Sequence, residues 1–427
     1  MHSSRTASRR PVVLCAAALL ALAVPAAAQE ASPEEEGWKL GPGVKVKHSS
    51  GFRLELAGYV QGDGRDPRNL YEGDEETESL NDTVTELRRF RIGLDGEWGK
   101  RVSFQVQFDP ADEGEHLKDL WLGVKLADAF RVRAGHFKVP VSREFLVGAS
   151  RIDFIERSMV VDHIGPGRDW GLMLHGEPFK DSEYMVGVFK GDGGGTLRQS
   201  ETTVAGRLVV SPFKALELGG SFSQGDVEAQ PAGGELDPAP LGFPGIGPSG
   251  FRFYDSHFVH GKRQRLGADA RITAGPFAVG GEWMRGTEER EGQSSIFDDL
   301  PDEVATGWSA AATWLVTGEK KKRTIEPGKP IGQGGIGAIE LAARIERLHF
   351  DDDAADVGFA GSGNRARNIR AIANRVITAG LSWWPVEWIR LMGNLAFEEF
   401  SDPLLAPEPG RTGKYVTVLG RLQFSVP

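Results

Sequence analysis

The stretch "RVSFQVQFDP", residues 101–110, alternates strictly: Val102, Phe104, Val106 and Phe108 are apolar, while Arg101, Ser103, Gln105, Gln107 and Asp109 are polar. Successive side chains of a β-strand point to opposite sides, so such a segment is a ribbon with one greasy and one wet face. Which face lies inside decides the fold. In a soluble protein the greasy face packs into a core. In a wide membrane barrel it meets lipid, and the wet face lines a lumen.

The alternation returns along the chain. Besides the opening segment it runs through 52–62, 86–98, 119–126, 130–136, 169–176, 184–191, 203–210, 216–222, 265–272, 277–284, 308–316, 337–348, 376–384, 388–397 and 415–424, giving sixteen candidate strands. Several connections are tight, such as "GK" at 99–100, "ADA" at 127–129, "TAG" at 273–275 and "PVE" at 385–387. They alternate with long polar segments at 63–83, 138–168, 223–262, 286–305 and 349–372, and "TGEKKKRTIEPGKPIGQG" is a further long link. Short turns at one end, long loops at the other and an even number of ~10-residue strands predict an all-β fold. It is a 16-stranded antiparallel transmembrane β-barrel with short periplasmic turns and long extracellular loops. A soluble β-sandwich gives the same alternation but not this loop rhythm. A sixteen-strand lumen is too wide for side chains to fill, so the apolar phase must face lipid. Phe52, Trp98, Phe108, Phe130, Trp170, Tyr184, Trp283, Trp308, Trp314, Trp383 and Phe424 fall on that phase. Most lie near strand ends, where an interfacial aromatic girdle belongs.

The N-terminus sets the compartment. Arg5, Arg9 and Arg10 precede "PVVLCAAALLALAVPAAA", and Ala26 and Ala28 supply an A-x-A site, so residues 1–28 read as a cleaved signal peptide. An uncleaved anchor is the alternative, which Pro25 and the alanines after it disfavour. Residues 29–50 read as a periplasmic lead-in and 51–427 as the barrel domain in the outer membrane. The only cysteine, Cys15, leaves with the signal, and the mature charge becomes 47 basic against 60 acidic, or −13. That balance argues against a nucleic-acid partner.

On the wet phase thirteen basic residues face ten acidic ones, although the whole chain is acidic. Arg89, Arg91, Arg101, Arg131 and Arg133 cluster on the second, third and fifth strands, with Lys125 nearby on the fourth. Guanidinium groups in a confined wet pore favour anions, and their forked donors suit phosphate oxygens. Cross-strand pairing with lumen carboxylates is the competing role for each. The segment 138–168 joins Lys138, Arg143, Arg151, Arg157 and Arg168 to Phe145, Leu146, Ile152, Phe154 and Ile155. So apolar a loop is expected to fold into the lumen and narrow it, or else to pack on a neighbouring subunit.

Several phrases resemble the phosphate-selective porin O/P family: "RRFRIGLDGEW" (88–98), "VSFQVQFD" (102–109), "LKDLWLGVKL" (117–126) and "VRAGHFKVPVSREFL" (132–146). So do "IDFIERSMV" (152–160), "PGRDWGLMLHG" (166–176), "WLVTGEKK" (314–321) and "GAIELAARIERL" (337–348). The resemblance implies a trimeric sixteen-stranded outer-membrane channel with an arginine ladder and a constriction holding a lysine and an aspartate. Arg88 and Arg89 match the paired arginines of the family's second strand, Lys138 matches the constriction lysine, and Asp109 is the candidate aspartate. The partners implied are small anions such as phosphate or a polyphosphate, outer-membrane lipid, and two further copies of the chain. No enzyme signature is present: there is no H-E-x-x-H, G-x-S-x-G or P-loop, no cysteine–histidine metal cluster, and nothing that asks for a cofactor. A weakly selective diffusion porin and a non-conducting structural or adhesive barrel are the alternatives.

Overall fold

The computed structural model describes residues 39–41, 43–48, 51–69, 83–191, 202–227, 242–254, 259–291, 299–351, 372–401 and 413–426. The signal segment and most of the lead-in lie outside them. Sixteen antiparallel strands form the wall: β1 (Phe52–Asn69), β2 (Val84–Trp98), β3 (Val102–Phe108), β4 (Leu117–Ala127), β5 (Phe130–Lys138), β6 (Arg168–Gly176), β7 (Ser182–Lys190) and β8 (Thr202–Phe213). They continue as β9 (Leu216–Val227), β10 (Gly261–Ala274), β11 (Phe277–Arg290), β12 (Leu300–Leu315), β13 (Ala338–Phe350), β14 (Ile372–Val386), β15 (Ile389–Phe400) and β16 (Lys414–Val426). Each strand pairs with the next, and β16 returns to β1 from Val426 opposite Gly58 to Tyr415 opposite Asn69. Below Gly58, where β16 has ended, the strand Gly43–Lys47 takes over the free edge of β1, from Val44 opposite Leu56 to Lys47 opposite Arg53. The main-chain groups that would otherwise be left open are thereby paired.

The sixteen strands fall in the sixteen alternating segments, but several run further: β1 reaches Asn69, β11 reaches Arg290, and β12 starts at Leu300. On β11 the outward phase passes from Val279 through Trp283 to Arg285, Thr287 and Glu289. Lipid-driven alternation therefore stops at the tryptophan while the hydrogen-bonded ladder continues into water. At the short-turn end Gly99 and Lys100 both sit at φ 59°. That left-handed pair matches the twist of β2 and β3 and closes the hairpin in the fewest residues.

The outward face is apolar. Trp98, Phe108, Phe130, Trp283, Trp308, Trp314 and Phe424 are each at least 39% exposed on the isolated chain, far more than a soluble core would allow. Trp283 stands opposite Trp308 across β11 and β12, and Phe277 stacks on Trp314 at 5.8 Å nearer the turns.

The inward face is not wet throughout. On β13 it runs Glu340, Arg344, Glu346 and then Leu348 and Phe350; on β14 it runs Ser382, Thr378 and then Val376 and Ile372. Its long-loop half is a buried apolar cluster that also takes in Phe400, Tyr415 and Met284. Two inserted segments complete it. One is the helix Met159–Ile164 (α2 below) and the other is 242–254, where Phe253 contacts Phe350 and Phe400, and Tyr254 stacks on Phe350 at 3.7 Å. Reading 223–262 as simply a polar loop is thus corrected for its described part.

Candidate functional site

The segment between β5 and β6 lies against the inner wall and crosses the lumen. It contains two short helices, α1 (Arg143–Leu146) and α2 (Met159–Ile164). Short helices leave most of their terminal N–H and C=O groups unpaired, and here other elements supply the partners. Ser142 caps α1 at Phe145 N–H (3.0 Å), while Glu282 of β11 accepts from the N–H groups of Arg143 and Glu144, each at 3.2 Å. At the other end the Lys138 ammonium donates to the carbonyls of Phe145 (2.5 Å), Leu146 (3.3 Å) and Val147 (3.0 Å). Glu346 of β13 accepts from Met159 N–H at 2.6 Å, the start of α2. Farther round, Asn394 accepts from Ile155 N–H (2.8 Å), and Arg390 and Arg344 donate to the carbonyls of Ile152 (2.8 Å) and Glu156 (3.1 Å). Gly307 makes room for α2, since a Cβ there would come within 2.7 Å of Val160.

The wall arginines are largely committed. Glu156 meets Arg88 (2.8 Å), Arg89 (3.2 Å) and Arg421 (3.3 Å), and Arg421 also grips Asp63 through two bonds of 2.7 and 2.6 Å. Burial pushes the Glu156 carboxyl up, but Arg89, Arg88 and Arg421 outweigh it and hold the group well below the usual carboxylate range. Arg88 reaches this cluster because β2 bulges there: Arg89 pairs with Gln61 and Leu87 with Gly62, leaving Arg88 as the extra residue. Strict alternation would have turned it outward. Arg91 pairs with Asp109 at 2.9 Å, Arg168 with Asp119 at 3.1 Å, and Arg207 with Asp269 at 2.5 Å.

On the short-turn side of the inserted segment a cavity of about 1160 Å³ opens. Arg91, Arg133, Lys138 and Arg151 line it. Arg133 lies over the Trp121 ring at 4.1 Å and has no carboxylate in ion-pair contact among the described residues. Four other sequence candidates lie elsewhere. Arg101 is exposed in the β2–β3 turn. Lys125 pairs with Asp128 across the β4–β5 turn, and Arg131 pairs with Asp128 (3.7 Å) and Glu177 (3.1 Å). These three belong to the rim of the barrel, because the wet phase near a strand end opens to bulk water rather than to the cavity. Asp109 is fully buried, accepting from Phe90 N–H (2.9 Å) as well as from Arg91, so it braces the wall instead of facing the cavity.

Other contributors escape alternation altogether. Glu156 sits in a loop, where no face is assigned to a residue. Lys321, Lys322 and Arg323 lie in the β12–β13 connection (316–337), the one long link at the short-turn end. That connection folds up under the barrel: Lys321 donates to Asp153 at 2.8 Å and pairs with Glu340, and Ile325 is buried with Leu315, Ala338 and Trp384. Burial raises the Asp153 carboxyl, while Lys321 and Arg271 more than offset it and keep it ionised.

A family model described as phosphate-selective porin O and P matches residues 60–423, well over half of the chain. The chain belongs to that family. This porin-family protein of the bacterial outer membrane is 24% identical over 343 residues to an uncharacterized protein of Caulobacter vibrioides, a match covering 74% of this chain. It spans only 63% of that relative's length. Among solved structures the porin fold superposes on in-vitro folded OmpT of Vibrio cholerae with a TM-score of 0.56 at 11% identity, covering 89% of this chain and 99% of the other. An anion-selective porin from Comamonas acidovorans gives 0.53 at 14% identity, covering 88% and 99%. The outer-membrane channel DcaP of Acinetobacter baumannii gives 0.53 at 11% identity, covering 89% and 99%. At these identities the likeness is one of fold.

Proposed function

We propose that this porin is a passive pathway for small anionic solutes, phosphate among them, and works as a homotrimer. One observation carries the reading: thirteen lysine and arginine side chains line the cavity against nine carboxylates. The excess is local, in a chain that is acidic as a whole. At physiological salt the Debye length is about 8 Å, so acids in distant loops are largely screened from an ion in the cavity. A cation about 4 Å away, at an effective dielectric of about 20, acts on that ion with about 4 kcal/mol before desolvation. Family membership and the anion-selective porin of like fold support the same reading.

A weakly selective pore is the second reading, favoured by the pairing of Arg88, Arg89 and Arg421 with Glu156 and Asp63. Asp95, Glu183 and Glu387 also face the cavity. Reversal potentials of single channels in a potassium chloride gradient separate the two. Wild type should be anion-preferring, and Arg133→Glu with Arg151→Glu should move it toward cations. A cation-selective wild type would sink the anion reading, and absent conductance would turn the assignment toward a structural barrel.

The trimer proposal has support in the wall itself. A tilted strand needs about 9–11 residues to cross the bilayer; β3, with 7, falls short of that, and β5, β6 and β7, with 9 each, only just reach it. The lowest part of that arc is the place for a neighbouring copy to cover. An anion-selective porin need not be trimeric, so cross-linking in native membranes tests this separately.

A further inference from the structure

The outward face of the wall turns basic along one row of cross-strand partners. Trp283 of β11 stands opposite Trp308 of β12, and Trp308 opposite Arg347 of β13. Arg347 is opposite Arg375 of β14, Arg375 opposite Glu399 of β15, and Glu399 opposite Lys414 of β16. Tilted strands carry such a row from one depth of the membrane to another. Tryptophan settles at the interface of hydrocarbon and headgroups, so the change from Trp308 to Arg347 marks the level at which the wall leaves the hydrocarbon. The residues beneath agree: Ile345 faces Ile377 and Ile377 faces Phe397, all three exposed and apolar. β13 and β14 have 13 and 15 residues, more than the about 9–11 that a tilted strand needs to cross a bilayer. Their long-loop ends therefore stand in the headgroup layer.

Two like charges meet in that row. Arg347 and Arg375 are exposed and directly opposite one another on the same face, an arrangement that destabilises a sheet unless something neutralises it. The inward phase at that height is taken by Leu348 and Val376 of the buried apolar cluster, so the two guanidinium groups have only the outside to face. Arg375 shares Glu399 with Lys414, which pairs at 3.6 Å. Arg347 has no carboxylate in ion-pair contact among the described residues, and neither has Arg285, exposed two residues beyond Trp283 on the same face. Farther out, Glu289 is taken by Lys262 at 3.8 Å, and Asp351 lies against His349 at 4.0 Å.

We infer that Arg347 and Arg375 hold the phosphorylated headgroup of an outer-leaflet glycolipid, whose acyl chains lie along Trp308, Ile345 and Ile377. Guanidinium forks pair with phosphate oxygens, and a phosphate between the two arginines removes their mutual repulsion. Basic groups at a membrane surface draw anionic lipid to them by charge, and the isoleucine pair directly beneath gives the chains an apolar wall. The site is on the outside of the barrel, so it does not depend on which solute the lumen passes.

The purified porin in a non-ionic detergent is mixed with bisphosphoryl lipid A, and the lipid it retains is counted by native mass spectrometry. Wild type should retain it, and should retain less of the same lipid freed of its phosphates. Arg347→Gln and Arg375→Gln should each weaken retention about fivefold, as the loss of one cation at a membrane surface entails, and the double variant should lose more than either. Lys180→Gln, exposed on the β6–β7 turn at the other end of the barrel, should leave retention unchanged. Equal retention of both lipids by wild type, or undiminished retention by the double variant, would overturn the site. So would a disulfide between copies carrying Arg347→Cys, which would put a second subunit there. Heat-modifiable mobility and unaltered single-channel conductance check that each variant folds.

Discussion

Glu156 shares its two oxygens among Arg88, Arg89 and Arg421. Replacing it with glutamine leaves three guanidinium groups facing one another. A fully buried pair broken this way costs ~3–5 kcal/mol, and partial access of water to the carboxylate brings the expected loss to roughly 2 kcal/mol. Thermal unfolding in detergent should show it, and released Arg88 and Arg89 should make the variant more anion-preferring by reversal potential. The sign with pH follows from the lowered pKa of the group. The unfolded carboxyl titrates near 4.3, so the stabilisation is fully present above that value and is lost as pH falls through the lower folded value. The gap between wild type and Glu156→Gln should therefore be constant from neutral pH to about 5 and close in stronger acid. A gap that persists there would mean that the glutamine disturbs packing rather than charge. Lys138 shows how the same residue type can serve structure. Its ammonium ends α1 by binding three successive carbonyls, so Lys138→Met should cost about 1–3 kcal/mol and make open-channel current noisier. Unchanged noise would detach Lys138 from the loop's rigidity.

Among elements, the inserted segment between β5 and β6 matters most. Its helices are too short to stand alone, and they hold because Glu282 and Glu346 reach in from β11 and β13 to satisfy their N-termini, while Arg344, Asn394 and Arg390 of β13 and β15 bind the backbone between them. Deleting 145–160 should enlarge single-channel conductance at least about twofold if the barrel still assembles, since a pore's conductance follows the open cross-section. Unchanged conductance in a folded deletion would place the narrowest point elsewhere, with 242–254 the next candidate. Ser249 of that stretch binds Glu398 through both its N–H (3.1 Å) and its hydroxyl, and Phe243 N–H binds Glu288 at 2.9 Å. The existence and type of the wall strands were legible from alternation, and so was the apolar character of 138–168. The caps were not, because a glutamate on a wet face looks the same whether it meets an ion, an arginine or the end of a helix.

At the scale of the whole molecule, closure decides which face is inside. Phe104 belongs to the outward phase of β3, where it covers Gly96, and Gln105 points in to Asp95 and Trp121. Cysteines at the two positions, in a chain whose mature part is read as lacking any other, should behave oppositely. Position 105 should react with a membrane-impermeant thiol reagent and position 104 should not. The reverse pattern would invert the barrel. The low arc of β3 and β5–β7 makes a second expectation: pairs of cysteines on the outward face there should cross-link between copies, and pairs on the outward face of β11–β13 should not. Equal cross-linking on both arcs would remove the support for a trimer built on the short strands.

Strand number, direction of alternation and the rhythm of short and long connections are written in local sequence. Each rests on the two-residue period of a strand and on the need of every backbone group in lipid for a partner. The same local rule placed Arg91 and Arg133 on the cavity, and it also put Arg101 and Lys125 on the wet phase without showing that they stand at the rim. Height along a tilted strand, the bulge that turns Arg88 inward, and the pairing of Glu156 with three arginines from β2 and β16 came only from the tertiary structure. Alternation records which side of the sheet a residue faces, whereas charge compensation depends on which residues distant in the chain arrive at the same depth of the lumen. That is fixed only when the barrel has closed and its loops have folded in.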